Sequence, residues 1–331
     1  MKIYYLSARK YLRLYGGKNI AQKQSYLYGP VPSRRLGQSL GVDIVPLKVC
    51  TLDCIYCQLA KTSQKTIERA EYAPVDTVLA ELKEKLDEGL HADFITISGS
   101  GEPTLHSRLA DLIAGIKNIT DIPVAVITNG TLLFRQDVRA DCAKADVVLP
   151  SLDAVDEQTF RKINRPHKDI SIENVISGLC AFRNEFTGRI WLEVFLIDNV
   201  NTAPEQIADL KDAIKRIHPD KIHLNSAVRP TAEPGLQRLA PENLKSIAQS
   251  LGQSCEVVAD VSPSLLGKHT QIKAEHLLSM LKRRPCSLND ICTALAVSPD
   301  EALKYIARLK ASGMVTSTQK NGTTFFQAPR Q

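Results

Sequence analysis

No apolar run in the 331 residues approaches the roughly 20 needed to span a bilayer, which excludes an ordinary transmembrane helix, and no membrane partner is expected. The opening residues, MKIYYLSARK, have no apolar signal core, so the expected location is cytoplasmic. Aromatic residues are scarce, with one Trp, eight Phe and nine Tyr, yet six of the nine Tyr fall within residues 1–28. Acidic residues are missing altogether from 1–42, and no cysteine precedes position 50. In a reducing compartment the eight cysteines of a long chain read as thiols or metal ligands before disulfides.

Charge is unevenly distributed. Residues 1–42 carry eight Lys or Arg and are +8; residues 270–331 carry nine basic and four acidic side chains and are +5. That leaves 25 basic against 32 acidic in 43–269, a body of −7 within a chain of net +6. A basic extension at each end of an acidic body suits a polyanion partner, or else a solvated tail.

Three segments follow. Residues 1–28 form a basic, Tyr-rich extension without a usable period, suited either to stacking on single-stranded RNA or to remaining a loose arm. From about residue 29 to 262, strands and helices alternate. A first strand near Leu40–Val45 is followed by apolar runs at 94–97, 123–128, 147–152, 189–197 and 221–228. Helical patterns at 75–88, 107–118, 134–144, 171–185 and 204–217 separate them. Six strands alternating with helices predict an α/β fold with a parallel sheet covered on its faces: a partial (β/α)6 barrel, with an open doubly wound sheet as the alternative.

Residues 270–331 read as a separate small module. Two helices, IKAEHLLSMLKR and SLNDICTAL, precede a third that opens at Ser298-Pro299-Asp300-Glu301 with a capping Ser and Pro at the first helical position. Gly313 ends it, and MVTSTQKNGTTFFQ is a hairpin turning at Asn321-Gly322. Three helices and a hairpin predict a winged helix-turn-helix. Its third helix begins with carboxylates where phosphates and base edges would lie, which favours docking of RNA, a peptide or a protein over operator binding.

The chemistry centres on CTLDCIYC. Cys50, Cys54 and Cys57 stand as C-x3-C-x2-C on a loop just after a strand. Three thiolates this close can wrap one face of an iron–sulfur cube and leave one iron without a protein ligand. A zinc knuckle short of its fourth ligand, or chance clustering, are the competing readings; no Cys or His pair follows at comparable spacing. Cys142, Cys180, Cys255, Cys286 and Cys292 are scattered and read as buried structural thiols.

C-x3-C-x2-C with an aromatic, Tyr56, before the last Cys resembles the signature of the radical S-adenosylmethionine (SAM) superfamily. Other marks follow in the family's order. Ser100-Gly101-Glu102-Pro103, after the strand FITI, resembles the Gly-Gly-Glu-Pro turn with Ser in place of the first Gly. Thr128-Asn129-Gly130 and Ser151-Leu152-Asp153 end the next two strands, and Glu193 lies within WLEVFL. The segment YGPVPSRRLGQSLGVDIVPLK is similar to a branch allied with the tRNA wyosine-base synthases. Those synthases carry a second cluster on upstream cysteines, which this chain lacks, and a C-terminal cluster domain also has no counterpart.

The resemblance, over about 29–260, implies a 4Fe-4S cluster on Cys50, Cys54 and Cys57, and S-adenosyl-L-methionine held by Ser100, Gly101, Glu102, Asn129, Ser151 and Asp153. It adds a strand-borne contact from Glu193 and places Tyr56 near the adenine. It further implies reductive cleavage of SAM to a 5′-deoxyadenosyl radical by an oxidoreductase- or transferase-type enzyme, with electrons from a flavodoxin or ferredoxin-type donor. Arg34-Arg35 would either clamp an anionic substrate group or pair with the acidic body. Three readings follow: modification of RNA, tRNA among the candidates, through the basic ends; modification of a peptide or protein docked on the winged helix; and a DNA-binding regulator whose cluster senses redox state or iron. The full set of SAM contacts argues against the third, because a sensor needs the cysteines alone.

Overall fold

The computed structural model describes residues 25–258, 274–295 and 297–329, which fall into two compact units, one of 27–258 and one of 274–329. In the first, a hairpin of β1 (Leu27–Ser33) and β2 (Gly37–Val42) leads to two short strands, β3 (Val49–Cys50) and β4 (Gln64–Lys65), that bracket the cysteine loop. The alternation follows as α1 (Val75–Asp87), β5 (Phe94–Ile97), α2 (Leu109–Ile119), β6 (Val124–Ile127), α3 (Gln136–Cys142) and β7 (Val147–Leu149). It continues through α4 (Glu157–Ile163), α5 (Ile172–Glu185), β8 (Arg189–Leu196), α6 (Pro204–Ile217), β9 (Lys221–Ser226), α7 (Pro241–Leu251) and β10 (Cys255–Val257).

Eight strands make one sheet in the order β1-β2-β5-β6-β7-β8-β9-β10. β1 is antiparallel to β2, and every later pairing is parallel. From β2 onward spatial order follows chain order. A doubly wound sheet needs a reversal of that order, so this alternative is excluded. The six anticipated strands are β2 and β5 to β9. β1 and β10 are additional: β1 carries Pro30 and Pro32, tolerable because an edge strand leaves one row of donors unpaired, and β10 is only three residues long. The helices bury apolar stripes at three- and four-residue spacing, as α5 does with Ile172, Val175, Ile176, Leu179 and Phe182. α4 and α7 were not anticipated. α4 is two turns long, and its start is fixed by Asp156, whose carboxylate accepts from the Thr159 N–H at 2.8 Å.

The second unit contains α8 (Ala274–Arg283), β11 (Cys286–Ser287), α9 (Leu288–Leu295), α10 (Pro299–Ala311), β12 (Thr316–Lys320) and β13 (Thr323–Gln327). Ser298 Oγ accepts from the Glu301 N–H at 3.3 Å, and Pro299 opens α10, as expected of that sequence. Asn321 and Gly322, at φ 49° and 74°, make the mirror-image turn that matches strand twist. β11, too short to stand out in sequence, adds a third strand in the order β11-β13-β12. Cys142, Cys286 and Cys292 are buried, whereas Cys180 and Cys255 are half-buried. Among the described residues no helix is long and apolar enough to cross a membrane.

The three residues joining β1 to β2 show the shape of the large sheet. Leu36 packs with Ala125 of β6, Val147 and Leu149 of β7, and Trp191 of β8. Arg35 forms an ion pair with Glu193 of β8. In a flat sheet β2 and β8 would stand four spacings apart, about 19 Å, beyond the reach of one side chain. The sheet therefore curls and takes the hairpin turn onto its concave face. His223 of β9 lies there too, 3% exposed, edge-on to Trp191 at 5.7 Å. Burial, with Arg35 adding, lowers its pKa from 6.5 to about 4. The folded state thus holds His223 neutral while the unfolded chain protonates it near pH 6.5. Stability is accordingly predicted to fall by up to about 3 kcal/mol as pH drops from 6.5 to 4. Urea titrations across that range should show the loss, and His223→Leu should flatten it.

Candidate functional site

The cysteine loop is irregular and is held by backbone hydrogen bonds to its surroundings. Cys50 ends β3; the Thr66 N–H donates to its carbonyl at 3.0 Å. The N–H groups of Asp53 and Ile55 donate to the Asn164 and Ile163 carbonyls at 3.0 and 2.9 Å, which ties the loop to the end of α4. The Ala232 and Glu233 N–H groups close the other side on the carbonyls of Cys57 and Ile55, at 2.7 and 3.0 Å. Within the loop, Asp53 accepts from the Thr62 N–H at 2.6 Å.

Cys50, Cys54 and Cys57 are free and half-buried, and each sulfur meets one side-chain nitrogen. Asn129 Nδ2 lies 3.5 Å from Cys50 Sγ, Asn164 Nδ2 lies 3.5 Å from Cys54 Sγ, and Lys48 Nζ lies 3.1 Å from Cys57 Sγ. Burial pushes the Cys50 thiol up to about 11, with the Glu102 carboxylate adding; burial and Asp153 raise Cys54 likewise. Both thiols therefore stay protonated near neutral pH until a metal displaces the proton. For Lys48, burial pulls the pKa down and the neighbouring Cys57, Cys50 and Cys54 more than offset it.

Two buried carboxylates organise the loops that follow the strands. Glu102, after β5, is 2% exposed and accepts from the Thr104 N–H, the Thr104 and Thr128 hydroxyls and the Asn129 N–H, at 3.1, 2.7, 2.5 and 2.8 Å. It orients the turn after β6, and Asn129 Nδ2 donates in turn to Thr51 Oγ1 at 2.7 Å, beside Cys50. Asp153, after β7, is 5% exposed and accepts from Tyr56 Oη, Asn164 Nδ2 and the Phe195 N–H at 2.5, 2.7 and 2.9 Å. Burial raises both carboxyl pKa values, and these donors oppose the rise. Tyr56 stacks on Phe195 with centroids 4.0 Å apart.

The structure brings most of the anticipated residues together. Asn129, Ser151 and Asp153 line one pocket, joined by Asn164, Leu52, Phe160, Ile172 and Val175. Ser100 donates from its N–H and hydroxyl to Asp43 at 3.0 and 2.6 Å, which accounts for Ser where glycine was anticipated. Gly101 has no such latitude: a Cβ there would fall 2.4 Å from the Val49 carbonyl oxygen, at the strand that delivers Cys50. Glu193 stands apart. Its backbone bridges to Ser151, while its carboxylate is engaged by Arg35 on the concave face, so Arg35 pairs with the acidic body. Sequence reasoning missed Lys48 and Asn164. Asn164 lies 110 positions from Cys54, and no spacing rule joins them.

Among the described residues no three His, Cys, Asp or Glu side chains converge as ligands of a single ion. An iron–sulfur cube asks for something different. Each thiolate binds a different iron, so the thiols ring the cluster, and N–H donors to sulfur suit the site. Three free thiols on one loop, each with its own N–H donor, fit that group. Glu102→Gln places an NH₂ among four donors, and the mutant is predicted to lose about 1–3 kcal/mol of stability in chemical denaturation.

The radical SAM superfamily model matches residues 44–224. The chain is 36% identical over 243 residues to UPF0026 protein MJ1312 of Methanocaldococcus jannaschii, covering 73% of this chain and 74% of that one. It is 38% identical over 303 residues to a protein named GTPase Obg from Brachyspira hyodysenteriae, 91% of this chain but only 45% of that longer protein. Its fold is similar to that of TYW1 with a lysine-pyruvate adduct bound, at a TM-score of 0.50 and 23% identity over 74% of this chain and 80% of that one. It is also similar to Streptococcus suis SuiB bound to precursor peptide SuiA, at 0.51 and 16% over 70% and 52%. With the cysteine loop at the ends of its parallel strands, this chain belongs to the radical SAM superfamily, whose enzymes use a 4Fe-4S cluster and S-adenosylmethionine.

Proposed function

We propose that the protein is a radical SAM enzyme that modifies RNA, with Cys50, Cys54 and Cys57 as the cluster ligands. The carrying observation is the three free thiols, each met by a side-chain nitrogen, beside the pocket of Asn129, Ser151 and Asp153. When bound, cluster and SAM supply a 5′-deoxyadenosyl radical that takes a hydrogen atom from an unreactive carbon. In this reading β2 and β5 to β9 are the (β/α)6 core. Glu102 holds the Asn129 turn, and Asp153 orients Asn164 and Tyr56. Ser100, Gly101, Asn129, Ser151 and Asp153 hold SAM, with Tyr56 packing beside it and Glu193 contributing through its backbone bridge to Ser151. A low-potential flavodoxin or ferredoxin supplies the electron.

RNA is favoured as substrate by the +8 and +5 ends flanking a −7 body, since phosphate binding draws on Lys and Arg. The three helices and three strands of 274–329 are the element set of a winged helix-turn-helix, here a substrate-docking module. The domain division we infer is an N-terminal extension that stops before β1, since Leu27 and Tyr28 pair with Val42 and Gly41, then a core of 27–262 and this module at 270–331.

Anaerobically reconstituted protein should contain four irons and, once reduced, give an electron paramagnetic resonance signal that shifts on adding SAM. It should form 5′-deoxyadenosine with dithionite, and Cys54→Ala should abolish signal and product. A cluster indifferent to SAM, or zinc in its place, would overturn the assignment and bring the regulator reading forward. For the substrate, binding to tRNA should weaken linearly in log K against log salt, by about 0.7 per phosphate neutralised on single strands. Salt-independent binding, with a peptide modified instead, would transfer the function to the peptide reading.

A further inference from the structure

Lys48 is the residue at the site whose features its structural surroundings leave unexplained. It is 6% exposed and sits at φ 60°, a left-handed position where glycine is unstrained. Its backbone already fixes the loop: its N–H donates to the Ser100 carbonyl at 2.8 Å, and its own carbonyl accepts from Ser63 and Gln64 at 3.1 and 3.2 Å. None of this needs a lysine side chain. The side chain instead passes inward and puts Nζ 3.1 Å from Cys57 Sγ. Of the three side-chain nitrogens on the cysteine sulfurs among the described residues, only this one carries a charge; Asn129 and Asn164 are neutral amides.

A 4Fe-4S core of charge 2+ held by three thiolates is −1, and one-electron reduction makes it −2. The buried carboxylates nearest the thiols, Glu102 beside Cys50 and Asp153 beside Cys54, oppose that added charge. A cation held out of water against one thiolate favours it, because net charge and hydrogen bonds to sulfur set cluster potential. We propose that the Lys48 ammonium raises the reduction potential of the cluster on Cys50, Cys54 and Cys57, so that a low-potential one-electron donor can reduce it. Lys48 is thereby a potential-setting residue and not a ligand. The inference rests on the cluster assignment above. The step is one electron from the donor into the 2+ core, giving the 1+ core with no proton transferred and no bond to Lys48 formed.

The test is an anaerobic redox titration by electron paramagnetic resonance, using mediators and dithionite, on full-length protein with Lys48 replaced by Gln, Met or Arg. Iron and sulfide content are measured on each sample. Gln keeps an N–H donor without charge, Met removes both, and Arg keeps the charge. At a fixed poised potential, Lys48→Gln and Lys48→Met should lower the ratio of reduced to oxidised cluster at least about tenfold, a fall of about 59 mV for one electron. Lys48→Arg should stay within a factor of about three of the parent. Equal potentials in all four proteins at equal iron content would overturn the inference and leave the cluster assignment standing. A fall in Met but not in Gln would assign the effect to the hydrogen bond and overturn the role of charge. Should Met fail to assemble a cluster, the Gln–Arg comparison decides alone. Parent protein that takes up no four-iron cluster would overturn the assignment and the inference with it.

Discussion

Two carboxylates buried at strand ends hold this site together. Glu102 accepts four hydrogen bonds and Asp153 three, and through Asn129 and Asn164 they reach the sulfurs of Cys50 and Cys54. An irregular loop has no ladder of its own to stiffen it, so its shape must come from groups on rigid neighbours. Here those groups project from the turns after β5 and β7, which a parallel sheet places at one end, on either side of the turn after β6. Burying carboxylates is costly, and the donors around each one offset that cost.

The opposite requirement applies on the concave face. A curled sheet leaves an interior that must be filled, and the β1–β2 hairpin turn fills it with Leu36 against three strands and Arg35 against Glu193. The neutral, buried His223 beside Trp191 completes this packing. The antiparallel edge strand β1 thus has a purpose beyond covering an edge, since it delivers the segment that packs the interior beneath the site.

Much of this was legible in the chain. The parallel strands announced themselves as apolar runs after helical periods, and the three cysteines as a close C-x3-C-x2-C cluster in a long chain, which reads as metal ligands before disulfides. Ser100-Gly101-Glu102, Asn129 and Ser151 to Asp153 could be located because each closes a strand, and strand ends in parallel sheets converge. The small unit's three helices and hairpin were readable from its caps and its Asn-Gly turn, since caps and turns obey local rules, whereas the two-residue β11 was not. Short elements escaped: α4 has two turns and β10 three residues, too few for a period to emerge.

The sequence by itself determined which residue types carry the chemistry and the order in which the strands deliver them, because hydrophobic period, turn residues and cysteine spacing are local properties. Only the tertiary structure decided what those residues touch. That Thr128 and Asn129 join Thr104 in saturating Glu102, that the Glu193 carboxylate is spoken for by Arg35, and that Asn164 and Lys48 stand over the sulfurs are matters of approach across 9 to 158 positions of chain. Such contacts depend on how far the sheet curls and on which neighbours burial leaves to share a proton, and no spacing along the chain encodes either.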